Sequence, residues 1–193
     1  MGLDRQAGYR TAFAGSNRGT EMPMRKVWRR YGPILALVAA VLAVAAVHLA
    51  VDRITREPPN YSQIEDGLWL GGSVAEPPDG TRAVLNLCEA DDPYRVESHR
   101  WEPIRDAEPA PSLAWLREQV GFVESERRAG RVVFVHCRNG VSRSAMVVAA
   151  YLMAREGWPR DRALAFLRER RPGVRPNPAF MKLLAEWEMT LKG

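Results

Sequence analysis

Arg131-Val132-Val133-Phe134-Val135-His136-Cys137-Arg138-Asn139-Gly140-Val141-Ser142-Arg143-Ser144-Ala145-Met146-Val147-Val148-Ala149-Ala150-Tyr151-Leu152-Met153-Ala154-Arg155 decides how this chain folds. After Arg131, Val132–Val135 form a short apolar run without polar alternation, the pattern of a strand buried on both faces of a parallel sheet. Residues 145–154 are apolar all round, so the helix they form is buried. The loop between them, residues 136–144, joins a buried strand to a helix N-terminus. Successive backbone N–H groups turn inward there, and the helix dipole adds positive potential, so the loop is an anion site. Gly140 permits the left-handed backbone such a nest needs. Cys137 opens the loop, where the same field and Arg143 lower its thiol pKa and yield a thiolate. Arg143 can fork onto two oxygens of a tetrahedral anion. The loop lacks Gly-Lys-Ser/Thr, so it is not a nucleotide-binding P-loop.

Outward from this unit, Gly67–Leu70 reads as a short strand before the Gly71-Gly72 turn, and Ala83–Cys88 as a buried strand. Trp101–Ile104 is a weaker third. Ser112 can cap a helix to about Arg128, with Leu113, Leu116, Val120 and Val123 on one face and Gly130 after its end. Asp161–Arg170 and Pro178–Leu191 read as two further helices. The expected fold is α/β: a central, mostly parallel sheet of four to five strands flanked by helices, a layer sandwich. It occupies residues 61–193.

His-Cys-x-x-Gly-x-x-Arg-Ser/Thr is expected by chance on the order of 10⁻⁵ times in a chain with three histidines. At these residues the sequence resembles the dual-specificity branch of the cysteine-based protein tyrosine phosphatases. Ile64-x-x-Gly67-Leu68-Trp69-Leu70-Gly71, Ala150-Tyr151-Leu152-Met153 and Arg171-Pro172-x-x-x-Pro176-Asn177-Pro178-x-Phe180 extend the likeness over most of residues 61–190. The resemblance implies that Cys137 attacks phosphorus, while Arg143 and the loop N–H groups of Arg138, Asn139, Gly140, Val141, Ser142 and Arg143 hold the phosphate. It implies a general acid about thirty residues before the nucleophile. Asp106, 31 residues before Cys137, fits best; Glu102, Glu108, Asp91 and Asp92 fit less well. Ser144 is placed to hydrogen-bond the returning thiolate. His136 is expected to hold the loop by hydrogen bonds. Asn177 is read equally as a helix N-cap and as an active-site contact. Arg138 either faces solvent or reaches extra negative charge on a substrate. Some relatives trap the nucleophile with a nearby cysteine, which makes Cys88 a candidate redox partner beside the alternative of a buried core cysteine.

Two cysteines make no disulfide scaffold, no C-x-x-C or His/Cys cluster suggests a zinc site, and the mechanism implied needs no metal or cofactor. The chain carries a net charge of +5. Residues 1–57 hold nine basic and four acidic side chains, while residues 58–193 hold nineteen of each. The basicity therefore belongs to the N-terminal extension, and a nucleic-acid footprint over the domain is not indicated.

Residues 31–52 contain a 21-residue stretch without formal charge, Tyr31–Val51, long enough to cross a bilayer. A transmembrane anchor is preferred there over a buried core helix or a cleaved signal peptide. Residues 1–30 are expected to form a disordered basic tail, with Met22 or Met24 as alternative starts, and residues 53–60 a linker. The charge asymmetry favours a single-pass protein with its N-terminus in the cytoplasm. The expected substrate is a phosphorylated protein (phosphotyrosine, with phosphoserine and phosphothreonine in reach). The alternatives are a membrane phospholipid or phosphoinositide cleaved by the same loop, a catalytically dead phospho-binding module, and a sulfurtransferase.

Overall fold

A computed structural model describes residues 24–55 and 58–193. The chain divides into two units, residues 1–57 and 58–193. In the first, helix α1 runs Met24–Thr55. It begins before the expected boundary at residue 31, so residues 24–30 are helical rather than tail; the rest of that tail lies outside the described residues. The correction has a simple cause. Met24 to Tyr31 contains no Gly or Pro, and Pro33 only removes one donor from a ladder that continues past it. Within α1, Val27–Val51 is a 25-residue segment with mean hydropathy 2.8 and exposed apolar side chains. It is long and apolar enough to cross a membrane, and an N-terminal signal sequence has the same character.

The second unit is a five-stranded sheet with four helices: β1 (Tyr61–Glu65), β2 (Leu68–Gly71), β3 (Thr81–Asn86), β4 (Ser98–Trp101), α2 (Leu113–Arg128), β5 (Val132–His136), α3 (Arg143–Glu156), α4 (Arg160–Arg170) and α5 (Pro178–Lys192). The spatial order is β1-β2-β5-β3-β4. Only β1–β2 is antiparallel; β2–β5, β5–β3 and β3–β4 are parallel. The expected mixed α/β sheet is therefore present, with β5 at its centre. Two expectations shift. β1 adds a strand that the apolar pattern alone does not mark, and β4 lies three residues before the expected Trp101–Ile104. Both are edge strands with polar residues, Tyr61-Ser62-Gln63 and Ser98-His99-Arg100, which weakens the apolar signal.

Alternation along β5 sorts its residues between two faces. Val133, Val135 and Cys137 join the core built with α2, α3, α4 and α5, whereas Phe134 and His136 face the other side. There the Phe134 ring meets the Tyr61 ring edge-on and stacks on His136. Helix α3 is buried from Arg143 through Met153, so the loop preceding it is gripped between a central strand and a central helix. Such a site cannot drift without disturbing the core.

Ser112 caps α2 as expected, accepting from the Trp115 N–H at 3.1 Å, and Gly130 (φ 72°) follows its end. One residue of α2 is costly: Gln119 is fully buried, and its amide oxygen and nitrogen have no hydrogen-bond partner. Gln119→Met keeps the length of the side chain and removes both orphaned groups. It is expected to raise unfolding stability by roughly 1–3 kcal/mol, read as a higher urea midpoint at unchanged slope.

Candidate active site

The loop 137–142 is shaped by what holds its carbonyls. The Arg138 carbonyl accepts from the Ser73 N–H (3.1 Å), and the Val141 carbonyl from the Arg175 N–H (2.8 Å). Between them, Arg171 donates its Nη2 to the Asn139 carbonyl (3.0 Å) and its Nε to the Gly140 carbonyl (2.7 Å). Four successive carbonyls thus point outward. In a planar trans peptide the C=O of one residue and the N–H of the next point in opposite directions. The N–H groups of Asn139, Gly140, Val141 and Ser142 therefore turn inward, and the free N–H groups at the start of α3 join them. Gly140 is required twice over. Its φ is 67°, and a Cβ there would lie 2.4 Å from the Gly71 carbonyl carbon.

Cys137 sits at the bottom of this cup, 1% exposed. Its N–H donates to the Gly71 carbonyl at 3.2 Å. Its Sγ lies 3.4 Å from Ser144 Oγ, and that hydroxyl also reaches the Gly71 carbonyl at 3.3 Å. Burial alone would push the thiol up. Hydrogen bonds from the Ser144 hydroxyl and from the Ser144 and Gly140 main chains, with the Arg143 charge, outweigh it and bring the thiol below an ordinary cysteine.

Arg143 is 4% exposed. Its Nη1 approaches the carbonyls of Leu87 (3.2 Å) and Ile104 (3.0 Å) and both carboxylate oxygens of Glu89 (3.0 Å each). That single nitrogen anchors the guanidinium. Its Nε is buried without a hydrogen-bond partner, and no described residue hydrogen-bonds Nη2. The edge left open is the one that grips two oxygens of a tetrahedral anion at once.

Asp106 lies beside this edge, with Oδ2 3.9 Å from Arg143 Nε. Its Oδ1 accepts from Ser142 Oγ (2.6 Å) and Asn177 Nδ2 (2.8 Å). Asn177 makes two contacts: its Oδ1 caps α5 by accepting from the Phe180 N–H at 2.9 Å, while its amide nitrogen donates to Asp106. The other carboxylates weighed for the acid lie elsewhere. Asp91 pairs with Arg95, and Glu108 lies 3.7 Å from Lys182. Asp92 is buried between two histidines, His136 (3.1 Å) and His99 (2.9 Å). Glu102 follows β4, and its N–H donates to Asn86.

His136 is fully buried, bonded to Asp92, with Tyr94 Oη at 3.5 Å. Cys88 and Cys137 are both free thiols. Cys88 Sγ contacts Ser73 Oγ at 3.2 Å and His136 Nδ1 at 3.8 Å, on the sheet face that Cys137 does not share. Burial is the largest influence on the Cys88 thiol and holds it above an ordinary cysteine. Arg138 is exposed.

The sequence points to neither Glu89 nor Ser73, and it names Arg171 and Asp92 without the contacts they make here. Each acts through a fold contact with no local pattern. Arg171 stands 31 residues from Gly140 in sequence, yet it holds two loop carbonyls and Asn60 (2.6 Å). Among the described residues, no group of three or more His, Cys, Asp or Glu side chains is placed to hold a metal ion.

Comparison with known proteins finds the family and its relatives. The family model "Dual specificity phosphatase, catalytic domain" matches residues 80–190. Protein phosphatase Slingshot homolog 2 from Homo sapiens is 37% identical over 111 residues, covering 56% of this chain and 8% of that protein. Dual specificity protein phosphatase 1 from Homo sapiens is 37% identical over 112 residues, covering 56% of this chain and 30% of that protein. The chain thus spans less than a third of the length of these curated relatives. The crystal structure of a mouse putative dual specificity phosphatase complexed with zinc tungstate superposes with a TM-score of 0.66 and 28% identity. It covers 70% of this chain and 91% of the mouse chain.

Proposed function

Because the chain belongs to the dual specificity phosphatase family, we propose that it is a cysteine-dependent phosphomonoester hydrolase that dephosphorylates proteins on tyrosine and on serine or threonine. The observation that carries this reading is the cup of inward N–H groups, closed by the open edge of Arg143, over the acidified thiol of Cys137. A tetrahedral dianion fits such a donor array, and a thiolate at its base lies in line with the ester bond opposite.

The proposed cycle has two steps. The Cys137 thiolate attacks phosphorus and forms an S–P bond. The P–O bond to the substrate breaks, its electron pair leaves with the oxygen, and Asp106 gives that oxygen its proton. Water then attacks the phosphocysteine while Asp106 takes a proton from it. The S–P bond breaks, the thiolate returns to its hydrogen bond with Ser144, and inorganic phosphate leaves. Arg143 and the N–H groups of the loop from Arg138 to Arg143 bind the equatorial oxygens throughout. His136 and Asn177 act as positioning residues, the first under the loop and the second on Asp106. Cys88 is retained as a candidate trap for an oxidised Cys137, a reading that needs the two sulfurs to meet across the sheet.

We further read α1 as a single-pass membrane anchor whose basic N-terminal flank stays in the cytoplasm. The 21 residues without formal charge from Tyr31 to Val51, and the positive charge before them, support this.

The test is phosphate release by the full chain in neutral detergent. Phosphotyrosyl, phosphoseryl and phosphothreonyl peptides are compared with phosphatidylinositol phosphate and phosphatidylglycerophosphate vesicles. Turnover of the phosphotyrosyl peptide, with kcat/KM above that for either lipid, is the expected result. Release of phosphate from no peptide would refute the protein phosphatase reading.

A further inference from the structure

Residues 58–193 contain seventeen arginines. Fourteen place the guanidinium against a carboxylate, a backbone carbonyl or an aromatic ring. Among the described residues, the three whose side chains make no such contact are Arg105, Arg138 and Arg175, and all three are exposed. They are scattered in sequence, and each is tied to the site by its place in the chain. Arg105 precedes Asp106, Arg138 follows Cys137, and Arg175 is tied to the loop by its N–H bond to the Val141 carbonyl. Arg175 and Asp106 line one open groove of about 770 Å³ that runs onto the start of α5 at Met181.

Two carboxylates stand at this rim, Asp106 and Glu89. Glu89 is bound to Arg143 and also feels the charge of Arg138, while Asp106 is held by the neutral side chains of Ser142 and Asn177. Four guanidiniums, those of Arg105, Arg138, Arg143 and Arg175, thus face two carboxylates, so the mouth of the site carries an excess of positive charge, although residues 58–193 are neutral as a whole. Elsewhere the arginines meet a carboxylate, a carbonyl or a ring at contact distance; here three do not, where a substrate must pass.

Resting on the phosphoprotein reading above, the geometry points to a specificity device: Arg105, Arg138 and Arg175 select phosphopeptides that carry Asp or Glu on both sides of the phosphorylated residue. An extended peptide advances about 3.3 Å per residue, so side chains two positions away lie about 7 Å from the phosphoresidue, within reach of a rim arginine. A guanidinium fork matches a carboxylate, and a cluster of like charges at a mouth also raises the rate of encounter with an acidic partner. The groove favours a peptide over a lipid, because it provides a path away from the phosphate cup. A headgroup would concentrate its charge within the cup itself.

The experiment uses the full chain in neutral detergent, three phosphotyrosyl peptides of equal length with acidic, neutral or basic flanks, and 4-nitrophenyl phosphate as a substrate without flanks. At low salt, kcat/KM for the acidic peptide is expected to exceed that for the neutral one about tenfold, and the ratio to shrink toward one near about 0.5 M salt. In Arg105→Gln/Arg175→Gln most of that ratio is lost, while 4-nitrophenyl phosphate is turned over within about twofold of the parent rate. Arg175→Glu reverses the order of the acidic and basic peptides. Equal turnover of acidic and neutral peptides, or an acidic preference that survives the double substitution, overturns the inference and leaves the phosphatase reading standing. Failure of the parent chain to hydrolyse even 4-nitrophenyl phosphate overturns both. Phosphatidylinositol phosphate vesicles cleaved faster than every peptide, with the same dependence on the two arginines, replace the peptide by a lipid.

Discussion

Cys137→Ser is expected to leave the fold intact and reduce phosphate release by at least about 10⁴-fold. The argument rests on ionisation. In the parent, hydrogen bonds from Ser144 and Gly140 and the charge of Arg143 outweigh burial and hold the thiol below an ordinary cysteine, so more of the sulfur is thiolate than in an ordinary cysteine. The same donors cannot ionise a serine hydroxyl, whose proton is held far more tightly, and among the described residues no base stands within hydrogen-bond reach of that position to remove it. Ser144 offers only a hydroxyl. The variant should still bind phosphopeptide, since the inward N–H groups and Arg143 are untouched, and this separates lost chemistry from lost binding. The parent's kcat/KM should rise with pH through the thiol's lowered pKa. Ser144→Ala removes one of the bonds that lower it, so the midpoint of that limb should move to higher pH. A Cys137→Ser chain retaining more than about a hundredth of the parent rate would show that the sulfur is not the nucleophile.

The residues that could be read from sequence were those whose function and local pattern coincide. Val132–Val135 and Ala145–Met153 have no polar alternation because both elements are central, so their burial was legible, and the loop between them followed. Cys137, Arg143 and Ser144 lie inside that segment. The structure brings Asp106 to them from 31 residues away, with Asn177 from the far end of the chain. The edges were less legible. β1 and β4 have one polar face, and a four- or five-residue strand with polar positions looks like a loop. The contacts that aim the loop were not legible at all. Arg171 follows α4 and looks like any other arginine in an Arg-rich stretch, yet it turns two carbonyls outward and thereby two N–H groups inward. Glu89 looks like a surface carboxylate, and its 61% exposed side chain agrees; even so, it fixes one nitrogen of Arg143. Asp92, weighed for the acid, supports His136 from the opposite face of the sheet. Roles of this kind depend on the orientation of a partner's lone pair, which no spacing in a single sequence encodes.

Asp106→Ala should lower kcat on phosphoseryl peptide by roughly 10²–10⁴-fold and on 4-nitrophenyl phosphate by far less. A general acid matters in proportion to the basicity of the oxygen that departs. A serine alkoxide is strongly basic and cannot leave without a proton; a tyrosine phenoxide, whose conjugate acid has a pKa of about 10, needs it less; a nitrophenoxide scarcely needs it. The graded series serine, tyrosine, nitrophenol therefore reads out proton delivery itself, and a residue that only shaped the site would depress all three alike. The geometry supports this assignment over the neighbouring carboxylates. Asp106 is 39% exposed on its side chain, close to where a leaving group would emerge, and its Oδ1 is fixed by Ser142 and Asn177. That leaves Oδ2, beside Arg143 Nε, to turn toward the substrate. Asn177→Ala removes one of the two bonds that aim the carboxyl, so it should reproduce the same ordering of substrates with smaller losses, together with about 1 kcal/mol of stability lost with the α5 cap. Equal losses on serine and nitrophenyl substrates in Asp106→Ala would remove Asp106 from proton transfer and reopen the choice among Glu102, Glu108 and Asp91.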